Sequence, residues 1–82
     1  MFIISKQKRT TVNNATVISA IKSQEKSALQ YGIWVGWGNS ELFEIASYDS
    51  GAKAMAVYEQ LQAAMIGDEK FFILPSNDEV QV

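Results

Sequence analysis

Apolar and polar residues alternate with a period of two over much of the first half of the chain. The alternation is clearest over residues 28–37, where one side carries five large apolar residues: Leu29, Tyr31, Ile33, Val35 and Trp37. The other side carries smaller or more polar groups around one aromatic residue: Gln30, Gly32, Trp34 and Gly36. Because successive side chains of a strand point to opposite faces of its sheet, this stretch predicts a strand with one face in a core.

Further strands are predicted by short β-branched or apolar stretches between turn-forming residues. They cover residues 1–6, 16–23, 41–48 and 70–74. Residues 10–12 extend the pairing of the first of these strands. The polar residues 24–26 and the sequence Gly38-Asn39-Ser40 predict turns, and Pro75 ends the last strand by removing a ladder donor. The irregular phase of residues 41–48 predicts a bulge near Ala46.

One helix is predicted between the last two strands. Asp49-Ser50 offers a side chain for the N-cap, the helix runs from Gly51 to Ile66, and Gly67 is the expected C′ residue. Its apolar stripe has helical spacing: Ala54, Val57, Tyr58, Leu61, Ala64 and Met65. We expect this stripe to pack on the apolar side of the strand over residues 28–37.

These elements predict an α+β fold in the order ββββαβ. The expected architecture is an antiparallel sheet of about five strands with one helix packed on one face. A chain of 82 residues is short enough for one domain. We place that domain at residues 1–75 and a polar C-terminal tail at residues 76–82.

Several segments resemble a known group of proteins. They are the opening Met-Phe-Ile-Ile-Ser-Lys-Gln-Lys, the pair Val12-Asn13, the sequence Ile-Ala-Ser-Tyr-Asp-Ser before an Ala-rich helix, and a strand closing on Leu74-Pro75. In these the chain is similar to short uncharacterised β-rich proteins of low-GC Gram-positive bacteria and their phages. Members usually carry acidic residues in the first helical turn, where this chain has Gly51-Ala52-Lys53. The resemblance implies a sheet with one helix and a mobile-element origin, and it supplies no site residues.

The composition removes several classes of chemistry. The chain contains no Cys and no His, which excludes disulfides, zinc fingers, Fe–S clusters and catalysis by a thiol or an imidazole. Gly36-Trp37-Gly38 lacks the Lys and helix of a phosphate-binding loop. Glu41 and Glu44 on one strand would point to opposite faces, which does not suit a glycosidase pair. We therefore expect a protein that is not an enzyme and uses no cofactor and no metal.

Charge is unevenly distributed along the chain. Residues 1–40 hold five basic residues and one acid, a balance of +4, and residues 41–82 hold two basic residues and eight acids, a balance of −6. This division suits head-to-tail contact or a local anion site, or it is an ordinary solvated surface. The net charge of −2 makes nucleic acid an unlikely partner.

Hydropathy gives no expectation of a membrane partner. The longest strictly apolar runs have four residues, against the roughly 20 needed to cross a bilayer. No secretion signal is recognised at the start of the sequence. We expect a cytoplasmic protein, and the cytoplasm of the host cell if the gene belongs to a phage.

Three features are candidate binding sites. Trp34, with Gln30 on the same side of its strand, offers a flat aromatic platform, or lies in a subunit contact, or is covered by the terminal segments. Lys6, Lys8 and Arg9 form a basic turn that holds an anion or is simply solvated. Met55 lies away from the helix stripe, where it faces a partner or is partly covered.

The missing catalytic groups, the Trp34 face and the basic turn favour a non-enzymatic interaction protein. With a mobile-element origin, we expect an inhibitor of host defence that sequesters a small anionic nucleotide signal or masks a host protein. The alternative is a nucleic-acid-binding accessory protein using the basic N-terminal half. We also expect a homo-oligomer, most simply a dimer, because a small domain without disulfides or metal gains from burying more apolar surface.

Overall fold

The computed structural model describes residues 1–23 and 29–81, which form six strands, one α-helix and a 3₁₀ turn. In chain order they are β1 (Phe2–Ser5), β2 (Thr10–Asn13), β3 (Val17–Lys22), β4 (Tyr31–Gly36), β5 (Phe43–Tyr48), α1 (Gly51–Ile66), β6 (Phe71–Leu74) and the 3₁₀ turn (Asn77–Glu79). The turn predicted at residues 24–26 and the start of the strand predicted over residues 28–37 lie outside the described residues.

The strands form two sheets of three. One is an antiparallel meander in the order β3-β4-β5, and the other has the order β2-β1-β6 with β6 parallel to β1. The predicted α+β class with one helix is confirmed, but the single antiparallel sheet of about five strands is wrong. The reason is that residues 1–13 close on themselves as a hairpin, and the last strand then joins this hairpin rather than the meander.

Side chains join the two sheets where β5 meets the end of β1. The hydroxyl of Ser5 donates to the carbonyl of Ile45. The amide group of Gln7 donates to the carbonyl of Ser47 over 3.1 Å and accepts from its N–H over 2.8 Å. Gln7 thus satisfies both backbone groups that a neighbouring strand would otherwise bind. We call Ser5, Gln7, Ile45 and Ser47 the β1–β5 junction.

A bulge in β5 sets which residues face one another across the meander. Ile33 lies opposite Ala46, whereas the next residue, Trp34, lies opposite Glu44, so Ile45 is the extra residue. The predicted bulge near Ala46 is confirmed, one position away. Because of this shift, Glu44 and Trp34 share one face of the sheet.

The helix begins and ends where it was predicted, but its C-terminal cap differs. Ser50 is the N-cap, and its hydroxyl accepts from the N–H of Lys53 over 3.2 Å. Gly67 has an ordinary φ of −77°, and Asp68 instead takes the left-handed conformation with φ 55°. The N–H of Glu69 then donates to the carbonyl of Ala64 over 3.0 Å, which closes a Schellman motif. The prediction of Gly67 as the C′ residue was therefore wrong by one position, since Asp68 takes that role.

The core lies between the meander, the helix and one face of the β1 sheet. Its buried apolar residues are Ile3, Ala15, Ile33, Val35, Ile45, Ala46, Tyr48, Ala54, Val57, Leu61 and Leu74. The predicted helix stripe is confirmed, since three of its members are buried and Tyr58 and Met65 pack against the core. Trp37, predicted to share the core face of β4, is 40% exposed because β4 ends at Gly36.

Residues after β6 contact the start of the helix. The Tyr48 hydroxyl donates to the carbonyl of Pro75 over 2.7 Å, and Asn77 exchanges two hydrogen bonds with Asp49. Burial raises the pKa of Tyr48 to about 12, with a further contribution from the charge of Glu79. These contacts hold the beginning of the predicted polar tail against the domain.

Candidate functional site

The candidate site lies on the face of the β3-β4-β5 meander that points away from the helix. Trp34 is at its centre and is half-buried. Its cross-strand neighbours are Ser19 on β3 and Glu44 on β5. We call this surface, formed by Ser19, Gly32, Trp34 and Glu44, the outer face.

Gly32 forms the floor of the outer face because two side chains approach its backbone. A β-carbon at this position would lie 2.8 Å from Nε1 of Trp34 and 2.5 Å from Oε2 of Glu44. Any larger residue would therefore displace the indole or the carboxylate. The glycine allows the indole N–H and the carboxylate to lie close together above the sheet.

The indole N–H of Trp34 has no acceptor among the residues that the structure describes. Its nitrogen is buried from solvent, so water at the surface does not satisfy it either. A buried donor without a partner costs about 1–3 kcal/mol, and such groups are rare in native proteins. An acceptor atom from a bound molecule would remove this cost once the side chains that shield the nitrogen move aside.

Lys8 reaches the same place from the turn between β1 and β2. Its Nζ lies 3.5 Å from Oε1 of Glu44, and the two side chains are 41% and 26% exposed. The carboxylate of Glu44 thus has the ammonium group on one side and the indole near the other. Two residues that the sequence singled out separately, Trp34 and Lys8, meet at Glu44.

Glu44 is the residue of the outer face that sequence reasoning missed. It was considered only as a partner of Glu41 and dismissed, because alternation places the two on opposite faces. The bulge at Ile45 sets Glu44 opposite Trp34. The irregular spacing of apolar residues in this strand indicated a bulge, but it did not predict which residues of β4 and β5 lie opposite each other.

The other members of the basic turn do not converge on Trp34. The charge of Lys6 helps lower the pKa of Glu79, after the larger effect of hydrogen bonds from Ser76. Lys6 therefore lies toward the 3₁₀ turn at the end of the chain. Arg9 is exposed with φ 52°, and its backbone N–H donates to the carbonyl of Lys6 over 3.3 Å.

Gln30 and Met55 lie in different surroundings. The carbonyl of Gln30 accepts from the N–H of Ser23 over 2.6 Å, just before the start of β4. Met55 is 47% exposed on the helix and lines a cavity of about 170 Å³ beside Lys22 and Tyr31. This cavity is on the helix side of the meander and is smaller than the roughly 300–1,000 Å³ of ligand pockets. Met55 is thus separate from the outer face.

Other kinds of site find no support in the described part of the chain. No group of three or more Asp or Glu residues is arranged to hold a metal ion within residues 1–23 and 29–81. No helix in these ranges is long and apolar enough to cross a membrane. No family model, curated protein or solved structure matches the chain.

The outer face offers a defined set of contacts. The indole of Trp34 provides an aromatic surface, and its N–H provides a donor. The carboxylate of Glu44 accepts hydrogen bonds, and the ammonium of Lys8 attracts anions. A molecule with an aromatic ring that bears an N–H group, a hydrogen-bond acceptor outside the plane of that ring and a negative charge would use all of these contacts.

Proposed function

We propose that this chain is a non-enzymatic binding protein whose ligand lies on the outer face against Trp34. The observation that carries the proposal is the buried indole N–H, which has no acceptor among residues 1–23 and 29–81, next to the Glu44–Lys8 ion pair. Binding completes this hydrogen bond, so part of the cost of the unpaired donor becomes affinity.

The ligand class that matches these contacts is a nucleotide. A base stacks on the indole, a ribose or phosphate oxygen of the same nucleotide accepts from the in-plane N–H, and an exocyclic amine donates to Glu44. Lys8 lies where it can turn from the carboxylate to a phosphate. With the mobile-element origin implied by the resemblance, the protein acts as an inhibitor of host defence by sequestering a nucleotide signal.

Native mass spectrometry of the full chain with cyclic nucleotides and ADP-ribose derivatives tests this function. The wild type is expected to retain at least one of them. Trp34→Phe keeps a stacking ring but loses the donor, so its affinity falls about tenfold, which corresponds to about 1.4 kcal/mol.

Trp37→Phe is the matched control, since the indole N–H of Trp37 already donates to the carbonyl of Asn13 over 2.8 Å. It is expected to bind as the wild type does. If the protein retains no nucleotide, and a soluble quencher is kept from Trp34 only when a host protein is added, the function is masking of that host protein instead of sequestration. Free quenching of Trp34 under every condition would end the proposal.

A nucleic-acid-binding role has less support. The basic turn is partly neutralised, because Lys8 pairs with Glu44 and Lys6 lies toward Glu79. Retention of single strands on a filter at low salt and micromolar protein would revive it.

We also propose that the protein is a homo-oligomer, most simply a dimer. Its exposed apolar residues are numerous for so small a domain, and they include Ile21 beside the outer face at 41% exposure and Met55. A twofold contact over the outer face would place two ligand sites side by side. Light scattering at about micromolar concentration tests it, and a mass of 9.1 kDa would contradict it.

A further inference from the structure

The strand β6 is an edge of its sheet, and half of its backbone groups point away from the fold. The N–H of Phe2 on β1 donates to the carbonyl of Lys70 over 2.9 Å. In a strand the direction of the backbone groups alternates, so Phe72 and Leu74 also face β1. The N–H and carbonyl groups of Phe71 and Ile73 therefore point outward. We call these four groups the β6 edge.

Apolar side chains accompany the β6 edge on one face of the sheet. Phe71 is 58% exposed and Ile73 is 45% exposed, and Phe2, which lies opposite Phe71 on β1, is 49% exposed. The alternate residues Phe72 and Leu74 point inward, and Leu74 is buried. An added strand would find both unpaired backbone groups and an apolar surface for every second side chain.

Two of the other described edges, those of β5 and β2, are protected, and the remaining edge strand, β3, ends in the exposed residues Ile21 and Lys22. The edge of β5 is occupied by Gln7 and Ser5 in the β1–β5 junction. Strand β2 is Thr-Thr-Val-Asn, with three of its four residues exposed and polar. Native proteins protect edge strands in such ways to prevent unwanted pairing. In the described part of the chain, Lys70 before β6 and Pro75 after it limit the strand, and the apolar residues that remain available are Phe71 and Ile73.

Acidic residues flank β6 in the sequence. Asp68 and Glu69 precede the strand and line an open groove of about 510 Å³ that also contains Phe71. Asp78 and Glu79 follow the strand, and all four residues are exposed. Lys70 is the one basic residue between them in the sequence.

This charge pattern argues against a second copy of the chain as the occupant. Antiparallel pairing of two β6 strands would bring Asp68 and Glu69 of each near Asp78 and Glu79 of the other. Parallel pairing would bring identical acids together. Like charges on neighbouring strands destabilise the pairing, so both orientations are opposed. A segment with basic residues at its ends meets attraction instead.

We propose that the β6 edge binds an extended segment of another protein as an added strand. The segment carries apolar residues at alternating positions and Lys or Arg at both ends. Phe71 and Ile73 supply the backbone hydrogen bonds and the apolar contacts, and the flanking acids select the basic ends. This site is separate from the outer face and does not depend on the function proposed there.

The test measures amide hydrogen exchange of the full chain by NMR, with a synthetic peptide as the probe. The peptide is Lys-Lys-Val-Thr-Val-Thr-Val-Lys-Lys, blocked at both ends, and its control has Glu at every Lys. In the free protein, the amides of Phe71 and Ile73 should exchange much faster than those of Phe72 and Leu74. The Lys peptide should slow the first two at least tenfold at saturation, and the Glu peptide should not.

Variants separate the parts of the site. Ile73→Lys should weaken peptide binding at least tenfold, whereas Ile66→Lys, at a helix position that is 81% exposed, should leave it unchanged. Asp68→Asn combined with Glu69→Gln should weaken binding and reduce its salt dependence. Unchanged exchange of the core amides shows that each variant is folded.

Two results would overturn the proposal. Protection of Phe71 and Ile73 that rises with protein concentration alone would identify a second copy as the occupant. Exchange at these two amides that the Lys peptide leaves unchanged at about millimolar concentration would show that the edge does not accept a strand.

Discussion

The two faces of the β3-β4-β5 meander are built from the same strands but differ in how completely their groups are satisfied. On the inner face Ile33 and Val35 are fully buried under the helix, and the buried hydroxyl of Tyr48 donates to the carbonyl of Pro75. On the outer face Trp34 is half-buried, and its indole N–H lacks an acceptor in the described part of the chain. The difference shows that the inner face is fully packed, whereas the outer face keeps a polar group unpaired in the described part of the chain, which supports the binding role that we propose for it.

The largest expected effect comes from the inner face. Leu61→Ala should lower the free energy of unfolding by about 2–4 kcal/mol, because Leu61 is fully buried and its truncation leaves a cavity. Urea denaturation measures this loss. The matched control is Gln62→Ala at the neighbouring exposed position, which should change stability by less than about 0.5 kcal/mol. A loss below about 1 kcal/mol for Leu61→Ala would contradict the helix packing.

The inner face should also give an alkaline transition. Folding raises the pKa of Tyr48 from 10.0 to about 12, so the unfolded chain releases this proton at lower pH than the folded chain does. The contribution of Tyr48 is fully present below pH 10 and is lost as the pH rises toward 12, by about 2–3 kcal/mol. Unfolding measured between pH 9 and about 12 checks this window, and Tyr48→Phe should lack the loss. The same slope in both proteins would assign the transition to other groups.

On the outer face, Gly32→Ala should disturb the site more than the fold. The added methyl group would overlap the indole of Trp34 and the carboxylate of Glu44, at a cost of about 1–3 kcal/mol. Ser19→Ala, on the same face opposite Trp34, is the control and should have little effect. The emission spectrum of Trp34, read in a Trp37→Phe background, should shift for Gly32→Ala only. An unshifted spectrum would mean that the two side chains do not lie over Gly32.

The smallest expected effect is the difference in stability between substitutions of the two tryptophans. Trp37→Phe loses the hydrogen bond to Asn13 and should destabilise the protein by about 0.5–1.5 kcal/mol. Trp34→Phe removes a donor that has no described partner, which offsets the loss of apolar surface, so its stability should stay within about 0.5 kcal/mol of the wild type. Parallel urea titrations compare the two. A larger loss for Trp34→Phe would show that its indole N–H is already satisfied.

Local features of this fold could be predicted from the sequence because they depend on neighbouring residues. Ser50 caps the helix through its own hydroxyl, and Leu61 is buried by its position on the apolar stripe. The alternation over β4 also separated Ile33 and Val35 from Trp34 correctly. Each of these follows from a periodicity or a cap within a few residues.

Features that depend on distant residues could not be predicted. No local pattern indicates that β6 pairs in parallel with β1, or that Gln7 occupies the edge of β5. The contact of Lys8 with Glu44 requires both the first hairpin and the bulge in β5. The left-handed residue at the helix end was misassigned by sequence because Asp68 tolerates a conformation usually taken by Gly.

The parallel pairing of β1 with β6 also has a consequence for the order of folding. It joins Phe2 to Phe71, near opposite ends of the chain, so the loss of loop entropy on closing this contact is large. The meander and the helix are contiguous in sequence and can form through short loops, so we expect the pairing of β6 with β1 to form last. Until then both strands have unpaired edges. We therefore expect any intermediate with this pair still open to be the species most prone to aggregate, and substitutions confined to β1 and β6 should alter the unfolding rate more than the folding rate.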